Sequence, residues 1–197
     1  VNLLPVHADA NRGPTVRTSA LAFYMSHNQN SHIIMNSAKE KMANINFFKF
    51  IPSIVICQLA GIIGSFFTVS SVSTWYVTLN KPFFNPPHWL FGPVWITLYL
   101  LMGISLYLIW NNDGKDSKSA LIVFSIQLGL NTLWSLLFFG LKNPLLAFIE
   151  IILLWLFIVL TILFFYQKSK TASFLLIPYL LWVSFASVLN FSIFYLN

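Results

Sequence analysis

Charged side chains are scarce in this sequence: Asp, Glu, Lys and Arg together make up 8% of its 197 residues. A soluble domain carries about 25%. The shortage excludes a water-exposed surface over most of the chain, because too few charges are available to cover it. With 57% hydrophobic residues and a mean hydropathy of +0.75, the composition predicts an integral membrane protein.

Cysteine is scarcer still, since Cys57 stands alone inside an apolar run. A single cysteine excludes an intramolecular disulfide and a cysteine-based metal cluster. The sequence also lacks the residue sets of a catalytic triad and of a phosphate-binding loop. The net charge is +6, but the basic residues are spread thinly, which argues against nucleic acid as a partner. We therefore expect no bound metal and no conventional catalytic motif.

Long apolar runs are what the sequence has in abundance. Five of them reach the roughly 20 residues that a helix needs to cross the membrane, at 47–72, 91–110, 118–140, 145–166 and 173–195. Helices are expected because backbone groups in lipid must be bonded within their own segment. Only the first connection, 73–90, is long. The predicted fold is an all-α integral membrane bundle of five transmembrane helices, with a long proline- and aromatic-rich loop between helices 1 and 2.

The N-terminal part differs in composition from the rest. Residues 1–41 are rich in Asn, Ser, His and Thr, and their apolar patch "ALAFYM" is too short for a signal peptide. "MANINFFKF" from Met42 resembles a natural start. We predict that 1–41 is a disordered extension and that 42–197 is the membrane domain. Arg12 and Arg17 leave a transit peptide as an alternative.

The distribution of lysines predicts the orientation. One side of the membrane collects Lys39, Lys41, Lys49, Lys115, Lys118, Lys168 and Lys170, and the other has Lys81 and Lys142. Basic residues remain on the cytoplasmic side. We expect a cytoplasmic N-terminus in a bacterial cell membrane, with the mitochondrial outer membrane as the alternative location.

The first connection carries the most distinctive motif. "WYVTLNKPFFNPPHWLFGPVW" resembles the signature region of the TspO/MBR family, which includes tryptophan-rich sensory proteins and translocator proteins, also called peripheral-type benzodiazepine receptors. The matching elements are Trp75-Tyr76, Leu79, Lys81-Pro82, Pro86-Pro87 and Phe91-Gly92-Pro93-Val94-Trp95. "QLGLNTLWSLLFFG" at 127–140 and "LLIPYLLWVSFASVLN" at 175–190 also agree. The resemblance covers roughly 45–197, with Phe84 standing where the family often has tryptophan.

Prolines stiffen this loop and remove backbone donors, and its aromatic rings give it an apolar face. We interpret it as a lid over the helix ends. The alternative for Trp75, Tyr76 and Trp89 is an aromatic belt at the membrane interface.

On each of the second, third and fifth predicted helices, polar and aromatic residues recur along one face. Within a span such residues face another helix or a cavity. Interhelical hydrogen bonding is one interpretation, and a pocket for a flat amphipathic ligand is the other. With the loop residues, the predicted ligand-binding set is Trp75, Tyr76, Pro86, Pro87, Trp95, Tyr99, Gln127, Asn131, Trp134, Tyr179, Trp182 and Asn190.

The resemblance implies a function. Relatives bind porphyrins and haem, so a membrane-embedded tetrapyrrole-binding sensory or transport protein is expected, with the tetrapyrrole as ligand and no required cofactor. Some bacterial relatives degrade protoporphyrin in light and oxygen, which makes Trp95 and Trp182 candidate catalytic residues. A lipid or sterol carrier is a third possibility. Membrane lipid and a second copy of the chain, in a homodimer, are the expected partners.

Two ionisable residues have open roles. Glu150 is the single acid within a predicted span, and it either pairs with a polar group across the bundle or snorkels to the interface. His88, beside the predicted second helix, is either hydrated or capping, or it is an axial ligand of haem.

Overall fold

The computed structural model describes residues 26–29, 46–111 and 117–197. Residues 26–29 form a turn of helix within a first unit, Val1–Ile45, and Asn46–Asn197 form a second unit. Apart from 26–29, the predicted disordered extension at 1–41 lies outside the described residues. The helices below belong to the second unit.

Apolar runs of the sequence become long helices. Their bounds are α1 Phe47–Val72, α2 His88–Trp110, α3 Ser117–Ser135, α4 Pro144–Tyr166, α5 Lys170–Leu175 and α6 Ile177–Leu196. α3 continues into a π-helical turn, Leu136–Gly140, and α5 and α6 together form one segment of membrane length. The described residues thus contain five helical segments long and apolar enough to cross a membrane, and no strand. The predicted all-α class and its five spans are confirmed.

The first connection is shorter than predicted. α2 begins at His88 instead of residue 91, so the connection covers 73–87 and contains a 3₁₀ turn, Tyr76–Thr78. The chain is extended at Pro87, and the amide of Leu90 then donates to the Pro87 carbonyl at 3.0 Å. Proline restricts its own φ and the conformation of the residue before it, which favours an extended approach and an immediate helix start.

A tight turn makes α3 and α4 antiparallel neighbours. Lys142 has a φ of 52°, in the left-handed region that non-glycine residues rarely adopt. The Asn143 side chain then accepts a hydrogen bond from the Leu146 amide at 3.0 Å, and Pro144 is the first residue of α4. An asparagine cap followed by proline is a favoured helix start.

The backbones of α1 and α2 approach each other closely where the two helices cross, at Gly103. A Cβ atom there would lie 2.8 Å from Ile54 Cα and 3.1 Å from the Ser53 carbonyl oxygen. Neither atom belongs to a side chain that could move aside. Small residues are enriched at such crossings in membranes, where close backbone packing replaces the hydrophobic effect.

We predict that Gly103→Ala lowers the free energy of unfolding by about 1–3 kcal/mol, the usual range for overpacking a tight contact. The measurement is thermal or denaturant unfolding in detergent. Gly92→Ala is the matched control on the same helix, because no atom lies within 4 Å of the added Cβ. Equal stability of the two variants would contradict the importance of this crossing.

The interior and exterior of the bundle are both apolar. A large core cluster includes Met102, Ile109 and Phe124, and a smaller one beneath the first connection includes Tyr76 and Phe138. Large apolar side chains also cover the outside; Phe66 of α1, for example, is 72% exposed. An apolar exterior is what lipid contact requires.

Candidate ligand cavity

A cavity of about 190 Å³ lies inside the bundle, beside the first connection. Four elements contribute a helical stripe each. α1 supplies small residues, α2 and α6 supply one tryptophan each, and α3 supplies a tryptophan together with two phenylalanines from its π-helical end. The residues that line the cavity include Gly61, Tyr76, Trp95, Tyr99, Trp134, Phe138, Phe139, Trp182, Ala186 and Asn190.

Tryptophans from two distant parts of the sequence face this cavity. Trp95 lies one turn before Tyr99 on α2, and their ring centroids are 5.5 Å apart. Trp182 of α6 contacts Phe91 of α2 at 6.0 Å, edge to face. Residues four apart on a helix share a face, which explains why the sequence pattern brings these rings to one wall.

Glycine at position 61 of α1 makes room for the wall. A Cβ at Gly61 would overlap the Tyr99 ring, with its Cδ2 only 2.6 Å away. The ring therefore lies directly against the α1 backbone. A larger residue would displace Tyr99 and change the shape of the cavity.

The π-helical turn re-orients the end of α3. The Leu141 amide donates to the Leu136 carbonyl, five residues earlier, at 2.8 Å. Phe138 stacks on Trp134 with centroids 5.1 Å apart, and Phe139 stands edge-on to Trp134 at 5.9 Å. The Ser71 hydroxyl holds the turn by donating to the Phe139 carbonyl at 2.8 Å. Such turns are frequent at functional sites, and this one places two consecutive rings in the cavity wall.

A buried hydrogen-bond network supports the wall from behind. The Tyr99 hydroxyl donates to the Asn131 side-chain oxygen, and the Asn131 amide donates to the Tyr179 hydroxyl at 2.8 Å. Asn131 is 3% exposed and Tyr179 is 1% exposed. Three helices, α2, α3 and α6, are joined through this one amide. Buried polar groups need such partners, because an unmet one is costly.

A second network joins α3, α4 and α6 at the other wall. The Trp134 indole N–H donates to the Asn190 side-chain oxygen at 3.0 Å, and the Asn190 amide donates to the Pro144 carbonyl at 2.8 Å. The amide of Asn190 thus orients the Trp134 ring. Because these polar groups already have protein partners, the cavity presents mainly aromatic faces and edges.

The first connection lies against the cavity through Tyr76. The Tyr76 hydroxyl donates to the Asn85 side-chain oxygen at 2.7 Å, and the Lys81 ammonium lies 5.0 Å from the ring centroid. Burial raises the pKa of Tyr76 to about 12, so the hydroxyl keeps its proton near neutral pH. The connection is also tied to the last helix, because the Asn197 side chain exchanges hydrogen bonds with the Asn80 backbone at 2.9 and 3.0 Å.

The sequence model of the TspO/MBR family matches residues 53–196. The chain belongs to the TspO/MBR family. It is 52% identical over 153 residues to a tryptophan-rich protein TspO of Archaeoglobus fulgidus, covering 78% of this chain and 99% of that protein.

Sensory and translocator proteins are both among the TspO/MBR relatives. Identity is 34% over 154 residues with a tryptophan-rich sensory protein of Cereibacter sphaeroides, covering 78% of this chain and 94% of that one. It is 37% over 147 residues with a translocator protein of Bos taurus, covering 73% of this chain and 84% of that one. The similarity therefore extends over nearly the whole helix bundle.

The TspO/MBR fold brings only some of the predicted site residues to the cavity. Those that line it are Tyr76, Trp95, Tyr99, Trp134, Trp182 and Asn190. Asn131 and Tyr179 form the network behind the wall, and Gln127 lies one turn from Asn131, buried and without a hydrogen-bond partner among the described residues. In the connection, Trp75 packs edge-on against Phe138 at 5.6 Å. Pro86 and Pro87 lead into α2 without lining the cavity.

Several lining residues were not predicted as site residues. On α1, Gln58 bonds across to the Ile96 carbonyl at 3.2 Å, whereas Gly61, Gly64 and Ser65 line the cavity. Their spacing of three and four residues was the available signal. Phe138 and Phe139 carried no such signal, because the π-helical turn breaks the 3.6-residue period on which stripe analysis depends.

Proposed function

We propose that this protein binds a tetrapyrrole, porphyrin or haem, within the helix bundle and acts as a sensory or transport protein. One observation carries the proposal: Trp95 of α2 and Trp182 of α6 line the same cavity. Aromatic side chains contribute large apolar faces that stack on a flat conjugated ring. The names of the relatives, a sensory protein and a translocator protein, support a role in sensing or moving a ligand.

The size of the cavity adds a requirement. Its volume of about 190 Å³ is below the roughly 300–1,000 Å³ of typical ligand pockets. A tetrapyrrole therefore needs the cavity to widen. We propose that the connection at 73–87 is the lid that moves. Two contacts attach it to the last helix: the Asn80 carbonyl accepts from the Asn197 side chain, and Phe84 packs edge-on against Phe185 at 6.3 Å. Lid opening of this kind is a common gate for ligand entry.

We assign roles within the proposed site by position. Trp95, Trp134 and Trp182 stack on the ligand. Tyr99 forms the part of the wall that Asn131 and Tyr179 hold in place, with Gln127 one turn before Asn131 on α3. Asn190 orients Trp134, and Trp75, Tyr76, Pro86 and Pro87 belong to the lid.

The test is a titration of the purified protein with protoporphyrin and with haem, followed by absorbance in the dark and in light. Sensing or transport predicts a saturable shift of the Soret band without bleaching. Light-dependent bleaching that requires the protein would instead support the alternative function, a porphyrin-degrading enzyme. Absence of any tetrapyrrole binding would contradict both and leave a lipid or sterol carrier.

One observation favours the enzymatic alternative. The Trp95 ring lies 5.5 Å from the Tyr99 ring and 6.4 Å from the Tyr179 ring. Indole and phenol are the most easily oxidised rings among the common side chains. A photoexcited ligand in contact with Trp95 would thus lie next to a chain of electron donors, formed by the Trp95, Tyr99 and Tyr179 rings.

We further propose that the N-terminus is cytoplasmic, in a bacterial cell membrane, and that the protein forms a homodimer in which α3 contributes to the interface. Gly129 of α3 supports the pairing, because no other atom lies within 4 Å of the position of an added Cβ, which leaves space for a close helix. The mitochondrial outer membrane is the alternative location.

The orientation predicts opposite accessibility of two exposed positions. In a Cys57→Ser background, we expect an impermeant maleimide added to intact cells to label Phe83→Cys and not Gln167→Cys. Both side chains are exposed, and they lie in connections at opposite ends of the bundle. Labelling of both after lysis is the control. The reverse pattern in intact cells would contradict the lysine-based orientation.

A further inference from the structure

Glu150 is an acid inside the bundle for which the ligand site above has no role. It lies six residues after the start of α4, is 6% exposed, and shares its face with the buried residues Ala147, Ile151 and Leu154. Neither carboxyl oxygen has a hydrogen-bond partner among the described residues. The side chain therefore neither snorkels outward nor bonds to a polar group across the bundle.

No cation lies near this carboxyl on the helices packed against α4. α3 carries only Lys118 and α5 only Lys170, each within the first two residues of its helix, at the end of the bundle where α4 finishes. At 1.5 Å per residue that end is about 24 Å from Glu150 along the helix axis. At the other end, Lys142 in the turn before α4 is exposed to solvent. α6 carries Tyr195, which is 79% exposed, and Tyr179, which is buried. An ionised Glu150 would be a buried charge without compensation.

Tyr179 lies on α6, which packs against the helix that carries Glu150. Contacts on both sides of Glu150 join α4 to α6: the Pro144 carbonyl accepts from the Asn190 amide, and the Trp155 indole N–H donates to the Ser184 hydroxyl at 2.8 Å. Since the Tyr179 oxygen accepts from the Asn131 amide, its own hydrogen points away from Asn131. Asn131 in turn accepts from Tyr99, whose ring lines the cavity. A chain of hydrogen bonds thus joins the cavity wall to Tyr179, on the helix that packs against α4.

We propose that Glu150 is a proton-binding site of the bundle, linked to occupation of the cavity through Tyr179, Asn131 and Tyr99. The linkage rests on the proposed function, because it concerns an anionic porphyrin as the ligand. Porphyrin carboxylates and an ionised Glu150 repel one another across a medium of low dielectric constant, whereas a protonated carboxyl is neutral and carries a donor. Affinity therefore falls as the pH rises and Glu150 loses its proton, and by reciprocity porphyrin binding favours proton uptake.

The test measures the dissociation constant of protoporphyrin, by fluorescence quenching, from about pH 6 to pH 9, a range in which buried carboxyl groups ionise. The parent is expected to lose affinity by about five-fold or more across it, the lower limit of typical coupling. Glu150→Gln keeps the shape but cannot ionise, so its affinity is expected to stay constant and equal to that of the parent at low pH. Tyr179→Phe keeps the acid, interrupts the chain and is expected to reduce the slope. A Glu150→Gln slope equal to that of the parent would overturn the linkage.

Infrared spectroscopy of the ligand-free protein tests the proton site independently. A carbonyl band of a protonated acid that disappears towards pH 9 is expected in the parent and not in Glu150→Gln, because exposed carboxyl groups are already ionised at pH 6. Absence of that band at pH 6 would overturn the proton site. If the parent binds no porphyrin, the proposed function and the linkage both fail, while the infrared band still decides whether Glu150 holds a proton.

Discussion

Asn131→Leu is expected to lower the free energy of unfolding by about 2–6 kcal/mol. Its amide is the shared partner of two buried tyrosine hydroxyls, from Tyr99 and Tyr179. Leucine is similar in size but leaves both hydroxyls unmet, and each unmet buried group costs about 1–3 kcal/mol. Porphyrin affinity should fall as well, because the Tyr99 ring is part of the cavity wall. Unfolding in detergent, followed by helical circular dichroism, measures the first effect.

The matched control removes the hydroxyls together with their partner. In a Tyr99→Phe, Tyr179→Phe background, Asn131→Leu leaves no buried hydroxyl without a partner. It is therefore expected to lower the free energy of unfolding by less than half as much as in the parent. The difference is the interaction energy of a mutant cycle. An equal cost in both backgrounds would mean that the hydrogen bonds of the network do not stabilise the fold and that its side chains contribute through packing alone.

Trp95→Phe and Trp182→Phe are expected to separate stacking from redox chemistry. Phenylalanine keeps an apolar ring in the wall, so each variant should retain porphyrin affinity to within about ten-fold, since an aromatic pair contributes only about 0.5–1.5 kcal/mol beyond its buried area. Phenylalanine is far harder to oxidise than indole. Any light- and oxygen-dependent loss of porphyrin should therefore slow strongly in both variants, as measured by absorbance under fixed illumination.

Two other results are informative for the same pair. Porphyrin degradation at the parent rate in both variants would mean that the two tryptophans only line the cavity, and it would contradict the redox role. Folded variants that no longer bind porphyrin would mean that the shape of the indole is essential. Trp110→Phe is the control, because this tryptophan lies at the far end of α2 and does not line the cavity.

Most of the fold could be predicted because hydrophobic length is a strong signal. α1 has the predicted bounds of 47–72, since an uninterrupted apolar run must form a helix in lipid. The start of α2 was placed three residues late. Pro86 and Pro87 favour an extended chain before the helix, but α2 begins directly after Pro87 and not three residues later.

The candidate site could be predicted only in part, for a physical reason. Helical periodicity identifies which residues share a face, so Trp95 with Tyr99 and Trp134 with Asn131 could be grouped in advance. It does not say whether that face borders a cavity or a neighbouring helix. Asn131 lies against Tyr179 instead of in the cavity wall, because the rotation of α3 is determined by its packing with α1 and α4.

The most direct test of the central proposal is to fill the cavity and measure tetrapyrrole binding. Ala186 and Val188 lie two residues apart on α6; Ala186 lines the cavity, whereas Val188 is 57% exposed on the outside. A Soret titration with protoporphyrin is expected to give similar saturable binding for the parent and Val188→Phe, and much weaker binding for Ala186→Phe. Equal binding by Ala186→Phe, with its fold intact, would contradict a ligand site inside the bundle.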